Sequence, residues 1–156
     1  MTILPFQAII AAQGFCVGVR CDNDEVHELC YLEPRAELAP PGPLAAETLR
    51  QLRAYFADPA FRFALPLRPS GTNFQRRVWE EIAAIPSGRT QSYGEIAKRL
   101  HNAPRAVGQA CGANFFPLLI PCHRVVASNG KLGGFARQRG GFFLGVKRWL
   151  LEHERV

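Results

Sequence analysis

The sequence predicts an α/β protein of two lobes. A small N-terminal α/β lobe is built on an antiparallel hairpin or sheet. A mostly helical C-terminal lobe carries a winged-helix-like helix-turn-helix. Three observations predict this. Strand patterning is confined to the first 32 residues, and helical patterning dominates the second half. Pro66, Pro69 and Gly71 punctuate the connector and set a boundary between residues 1–69 and 70–156. Charge divides at the same place: residues 1–69 hold 6 Lys/Arg against 8 Asp/Glu, a net of −2, and residues 70–156 hold 13 against 5, a net of +8.

Each element has a local reason. Residues 6–21 are apolar with recurring β-branched side chains, Asp22-Asn23-Asp24 is a turn signal, and residues 26–32 alternate loosely, which reads as a hairpin. A proline-rich loop spans residues 34–43. Residues 44–56 place Leu44, Thr48, Leu49, Leu52, Tyr55 and Phe56 on one side of a helix, ended by Asp58-Pro59. Residues 74–85 are amphipathic, with Phe74, Val78, Trp79 and Ile82 inward and Arg76, Arg77 and Glu80 outward. Ser92 and Glu95 form a capping box that starts a helix at Tyr93. After the turn His101-Asn102-Ala103, Pro104 suits the first position of the next helix. Two short helices joined this tightly make a helix-turn-helix candidate. Asn129-Gly130 marks a tight turn, and residues 144–154 form a last helix with Val146, Trp149, Leu150 and His153 on one stripe.

Composition bounds the function classes. The chain has 156 residues, 47% hydrophobic and 21% charged, as expected of a soluble globular protein. No apolar run approaches the ~20 residues of a membrane helix. Residues 1–15 carry neither a basic lead nor a cleavage pattern, which argues against secretion. Cys16, Cys21, Cys30, Cys111 and Cys122 are odd in number and include no CxxC pair. Reduced thiols of a cytoplasmic protein are expected, or a nuclear one if the source is eukaryotic. The basic second half suits a polyanion, and it equally suits a solubilising surface.

The chemistry concentrates in Ile120-Pro121-Cys122-His123-Arg124-Val125-Val126. Only a thiolate is a strong nucleophile, and a nearby base or cation pulls its pKa below the free value of about 8.5. A buried structural cysteine and a satisfied core histidine are the plainer alternatives. An imidazole acting as a base needs a partner that fixes its tautomer. Glu95 has a capping role, and Glu80 and Glu81 read as solvated. That leaves Glu152 and Glu154 as candidates in this lobe. In the helix from Pro104, Ala106, Gly108 and Ala110 are unusually small. Small residues allow close approach, either to another helix or to a nucleic-acid groove with Arg105 reaching forward.

The order of motifs resembles the active lobe of the O6-alkylguanine-DNA alkyltransferases. The matching residues run from Phe74-Gln75-Arg76-Arg77-Val78-Trp79 through Ser92-Tyr93-Gly94-Glu95-Ile96-Ala97, Arg105-Ala106-Val107-Gly108 and Asn114. They continue through Ile120-Pro121-Cys122-His123-Arg124-Val125 to Trp149-Leu150-Leu151-Glu152-His153-Glu154. The resemblance implies a DNA-repair protein that flips O6-alkylguanine out of the duplex and takes the alkyl group irreversibly onto Cys122, once. It implies a chain of Glu154, His123, a water and Cys122. Tyr93 would protonate N3 of the departing guanine, and Asn114 would brace the turn. It implies that Arg105 fills the gap left by the flipped base while Ala106 and Gly108 lie in the minor groove. Arg76 and Arg124 would join the DNA contacts. The alkyl and guanine pocket falls on Phe135, Ala136, Pro117 and Val125. Phe135 and Ala136 replace a tyrosine and a serine common in the family. The loop of residues 137–143 is longer than usual, and its Arg137 and Arg139 are expected to touch DNA. Cys21 and His27 resemble two ligands of a structural zinc carried by some members, but with no second pair no metal is expected. The resemblance implies no cofactor, no membrane, no obligate protein partner and a monomer. Two other readings are a non-catalytic DNA-binding protein and a cysteine hydrolase. The first would be a helix-turn-helix regulator or a lesion-marking relative, and Cys122 counts against the lesion-marking form; the second lacks any sign of an oxyanion hole.

Overall fold

The computed structural model describes residues 4–132 and 141–155. The chain forms two units, Met1–Pro69 and Ser70–Val156. In the first, β1 (Ala8–Ala11), β2 (Cys16–Cys21) and β3 (Val26–Leu32) make an antiparallel sheet in the order β1-β2-β3. The expected hairpin thus has a third strand, because the chain reverses at Gly14, where φ is +81°. Asp22 builds the next turn, its Oδ1 accepting from the backbone N–H groups of Asp24 and Glu25 at 2.8 Å each.

Helix α1 (Pro43–Ala57) packs on β1 and β2, with Thr48, Leu49, Leu52 and Tyr55 buried as the periodicity predicts. Gln51 is buried too. It pins the connector by exchanging hydrogen bonds with the backbone of Ala64 at 2.9 and 2.8 Å. His27 does not resemble a metal ligand here. Its ring nitrogens face Asp22 Oδ2 at 2.8 Å and an Arg68 guanidinium nitrogen at 3.0 Å. Among the described residues, no group of three or more His, Cys, Asp or Glu is placed to hold a metal ion.

The second unit contains α2 (Asn73–Ala83), β4 (Gln91–Ser92), α3 (Tyr93–Arg99), α4 (Pro104–Gly112), a 3-10 turn (Cys122–Arg124), β5 (Val125–Val126) and α5 (Gly141–His153). Both Thr72/Gln75 and Ser92/Glu95 form reciprocal capping boxes, which fix where α2 and α3 begin. Pro104 opens α4 at its first turn. The α3–α4 turn needs a left-handed residue, and His101 supplies it at φ 53°.

Packing then brings distant segments together. Helices α2 and α3 both pack on α4, through Val78, Trp79, Ile82, Ile96, Ala97, Val107 and Ala110, all buried. Ala110 is therefore small for internal packing. The Trp79 indole N–H donates to the Ala110 carbonyl at 2.9 Å, joining the Ala113 N–H on that oxygen near the end of α4. Strands β4 and β5 pair in parallel, Gln91 with Val125 and Ser92 with Val126. That pairing sets the start of α3 beside the 3-10 turn that holds Cys122. No helix among the described residues is long and apolar enough to cross a membrane.

Replacing Trp79 with Phe keeps most of the apolar bulk and removes the indole donor, leaving the Ala110 carbonyl with the Ala113 N–H. Urea unfolding should show a loss of about 0.5–1.5 kcal/mol. An unchanged midpoint would mean the hydrogen bond contributes nothing.

Candidate active site

Cys122 opens the 3-10 turn and is buried, 4% exposed. The segment before it is held by Asn114. Its Nδ2 donates to the Ile120 carbonyl at 2.9 Å and lies 3.3 Å from Cys122 Sγ, while its Oδ1 accepts from the Phe116 N–H at 2.8 Å. One side chain thus closes the turn and places a donor on the sulfur. Buried Leu118 sits at φ 77° in the same turn. That conformation is costly for a bulky residue and is held by the surrounding packing.

Behind the cysteine lies a buried charged group. His123 Nε2 and Glu154 Oε2 are 2.8 Å apart, with the two side chains 0% and 1% exposed. Arg124 donates through Nε and Nη2 to the two Glu154 oxygens at 2.8 Å each, and through Nη1 to the Ile85 carbonyl at 2.7 Å. The expectation that Arg124 contacts DNA is therefore corrected. Its guanidinium is committed inside the unit, and it supports Glu154. Burial lowers the His123 pKa against the opposing pull of Glu154, with Arg124 and Lys147 lowering it further. A neutral imidazole bonded to a carboxylate through Nε2 carries its proton there, leaving Nδ1 as an acceptor. Nδ1 is buried, and no described residue hydrogen-bonds to it.

Tyr93, at the first position of α3, has its phenol pKa raised by burial first and then by Cys111 and Cys122. It stays protonated at neutral pH and is equipped to donate. Two groups at the site were missed in the sequence. Lys147 on α5 is fully buried, and its Nζ donates to the carbonyls of Val125 at 2.8 Å and Leu132 at 2.6 Å. The ammonium lies 5.7 Å from the centre of the Tyr93 ring. Burial lowers its pKa to about 8, against the raising influence of Cys111 and Cys122. Its signal was a charged residue three positions before Leu150 on the inward stripe of the last helix. Trp149 and His153, expected on that stripe, are only half-buried and stack on each other at 4.8 Å. The second missed group is Cys111 on α4, whose thiol pKa is pushed up by the neighbouring Cys122 and then by burial. An eleven-residue separation gave no sign of it.

The residues expected at a DNA surface lie on the outside of α2 and α4. Arg105 is exposed in the first turn of α4. Ala106 and Gly108 are half-buried, and a Cβ added at Gly108 would meet nothing within 4 Å. Its smallness thus fills no internal gap. Arg76 is exposed on α2, with its guanidinium on the Gly71 carbonyl at 2.8 Å and Asn73 Oδ1 at 2.7 Å. Of the expected pocket residues, Pro117 is half-buried in the Asn114 turn, and Val125 is fully buried beneath the site. Phe135 and Ala136, with Arg137 and Arg139, lie outside the described residues.

Residues 73–156 match the family model described as the DNA-binding domain of 6-O-methylguanine DNA methyltransferase. A methylated-DNA–protein-cysteine methyltransferase of Methanosarcina acetivorans is 46% identical over 110 residues, 69% of this chain and 67% of that one. One of Mycobacterium tuberculosis is 42% identical over 135 residues, 85% and 79% of the two chains. Among solved structures, Mycobacterium tuberculosis OGT in complex with DNA superposes with a TM-score of 0.78 at 36% identity, covering 94% of this chain and 91% of that one.

The pH dependence of stability tests the neutral His123. Its ordinary pKa is 6.5 and burial lowers it in the folded state. The unfolded chain therefore binds a proton that the folded chain resists, so this contribution is full above pH 6.5 and shrinks as pH falls below it. Between neutrality and about pH 5, urea unfolding of the wild type should lose stability more steeply than that of His123→Asn. Parallel curves would show that the imidazole is not held neutral.

Proposed function

The chain belongs to the methylated-DNA–protein-cysteine methyltransferase family, and we propose that it takes an alkyl group from O6 of guanine in double-stranded DNA onto Cys122. The observation that carries this reading is the buried row of Cys122, His123 and Glu154, with Asn114 donating toward the sulfur.

The chemistry follows from the positions of the protons. His123 presents the Nδ1 lone pair and holds its other nitrogen on Glu154. It takes the Cys122 proton through a bridging water, and Glu154 stabilises the imidazolium that results. The thiolate attacks the alkyl carbon. A carbon–sulfur bond forms as the carbon–O6 bond breaks, and the electron pair leaves with guanine. The departing base needs a proton at N3, and the neutral Tyr93 phenol supplies it. A thioether has no ready leaving group, so each molecule reacts once and Cys122 is not regenerated. The work is complete with one chain, and the protein acts as a monomer.

A sulfur fixed in a buried turn cannot align with O6 of a stacked base, so the base must leave the helix. Extrusion costs a few kcal/mol, least at a damaged pair. Arg105, exposed at the start of α4, fills the space left behind. The minor groove is only about 6 Å wide. The open face at Gly108 and the small Ala106 beside it suit that approach, and Arg76 on α2 suits a phosphate. The net charge of +8 on residues 70–156 supports a polyanion as the partner.

Incubation with duplex DNA carrying O6-methylguanine, followed by intact mass measurement, tests the reaction. One methyl group should map to Cys122, and none should appear in Cys122→Ala. Tight DNA binding without a mass change would point to a lesion-binding protein instead. Continued product release would point to a hydrolase. Arg105→Ala should slow transfer from the duplex by about tenfold while leaving transfer from free O6-benzylguanine intact. Equal slowing of both would remove Arg105 from the flipping step.

A further inference from the structure

The turn that begins at Asn114 carries an aromatic ring to which the reaction described above gives no role. Asn114 Oδ1 accepts from the Phe116 N–H at 2.8 Å, and the Phe116 carbonyl accepts from the Ile120 N–H at 2.8 Å. The first bond spans two residues and puts Phe115 at the corner of an Asx turn. Asn114 ties the same turn to the acceptor, its Nδ2 lying 3.3 Å from Cys122 Sγ. Phe116 is buried, whereas Phe115 is 37% exposed. Between Ala110 and Ala127, Phe115 is the only exposed residue. A single apolar side chain in water is ordinary on a protein surface. This one is distinguished by its place, because both of its neighbours are fixed and one of them touches the acceptor sulfur.

We propose that Phe115 is a substrate-binding residue whose ring packs on the face of the extruded guanine. This role rests on the proposed transfer to Cys122. A base that delivers its alkyl carbon to the Cys122 sulfur must lie against the segment that Asn114 holds there. An extruded base has lost its stacking neighbours, and an aromatic side chain gives one face a new partner. Every base has such a face, so the ring does not select guanine. It favours a base outside the helix over one still stacked within it. The Asx turn sets the ring in place before DNA arrives, so little ordering is left to oppose binding. Arg105 and Phe115 then act on two parts of one event. The first fills the gap inside the duplex, and the second receives the base that left it.

The test places an indole at this position in the full chain. Phe115→Trp is combined with Cys122→Ala, which blocks transfer, and titrated with three duplexes that differ at one nucleotide: O6-methylguanine, guanine and an abasic site. Stacking on a base quenches indole fluorescence. The signal is read against Cys122→Ala alone, which holds only Trp79 and Trp149. Extra quenching is expected with the O6-methylguanine duplex and not with the other two. Equal quenching by the undamaged or the abasic duplex would set the ring on flanking DNA and overturn the proposal. Bound lesion duplex without extra quenching would overturn it as well. In chains that keep Cys122, Phe115→Ala should raise the duplex concentration for half-maximal transfer rate about fivefold or more. Its affinity for undamaged duplex should stay within about twofold, and Phe115→Tyr, which keeps a ring, should recover most of the loss. Parallel losses on damaged and undamaged DNA would also overturn the assignment. Binding by the Cys122→Ala protein needs no transfer. A chain that quenches on the lesion yet gains no methyl would therefore refute the transfer reaction and leave the role of Phe115 standing.

Discussion

A carboxylate buried near the end of the last helix organises the catalytic half of this chain. Glu154 is 2% exposed, and it accepts from Arg124 while facing His123 Nε2. Ions taken out of water need close partners, and removing one partner from such a group typically costs about 3–5 kcal/mol. The arrangement therefore joins α5 to the 3-10 turn, fixes the plane of the imidazole and settles its tautomer at once. Arg124 also ties the group to the end of the α2 segment through the Ile85 carbonyl.

The remaining parts act by placement. The parallel pair β4–β5 brings the start of α3, and so Tyr93, to the segment that follows Cys122. Asn114 shapes the turn that leads into the cysteine. Lys147 binds the carbonyls of Val125 and Leu132, so the buried cation also holds the segment after β5 against α5. Each contact involves a polar group removed from water, where a hydrogen bond counts for more and an unpaired group costs more. The site's electrostatics and its geometry thus have the same source.

Much of this was legible in the sequence. The capping box at Ser92, Pro104 at a helix start and the proline-punctuated connector are local signals, and local signals set element ends. The third strand was harder to read, because one apolar stretch does not reveal where a glycine reverses it. Cys122, His123 and Glu154 were grouped because their types and order form a specific pattern, and the fold sets the imidazole on the carboxylate. Arg124 was misjudged because a basic residue near a DNA-facing motif reads as a phosphate contact, and only the fold brings Glu154 and Ile85 to it. Cys111 and Lys147 were missed for the same reason. Their meaning depends on partners eleven or more residues away. Lys147 alone left a trace, as a charge on an apolar stripe.

The central claim is that Glu154 acts on the reaction through His123 and is more than a prop for the last helix. Glu154→Gln keeps the size and much of the hydrogen bonding and removes the charge that stabilises an imidazolium. Its single-turnover transfer rate should be measured beside its affinity for the same alkylated duplex. The account predicts that transfer slows by about tenfold or more while affinity changes less than about threefold. Equal losses of rate and affinity, with melting of the last helix, would contradict it and make Glu154 a structural residue.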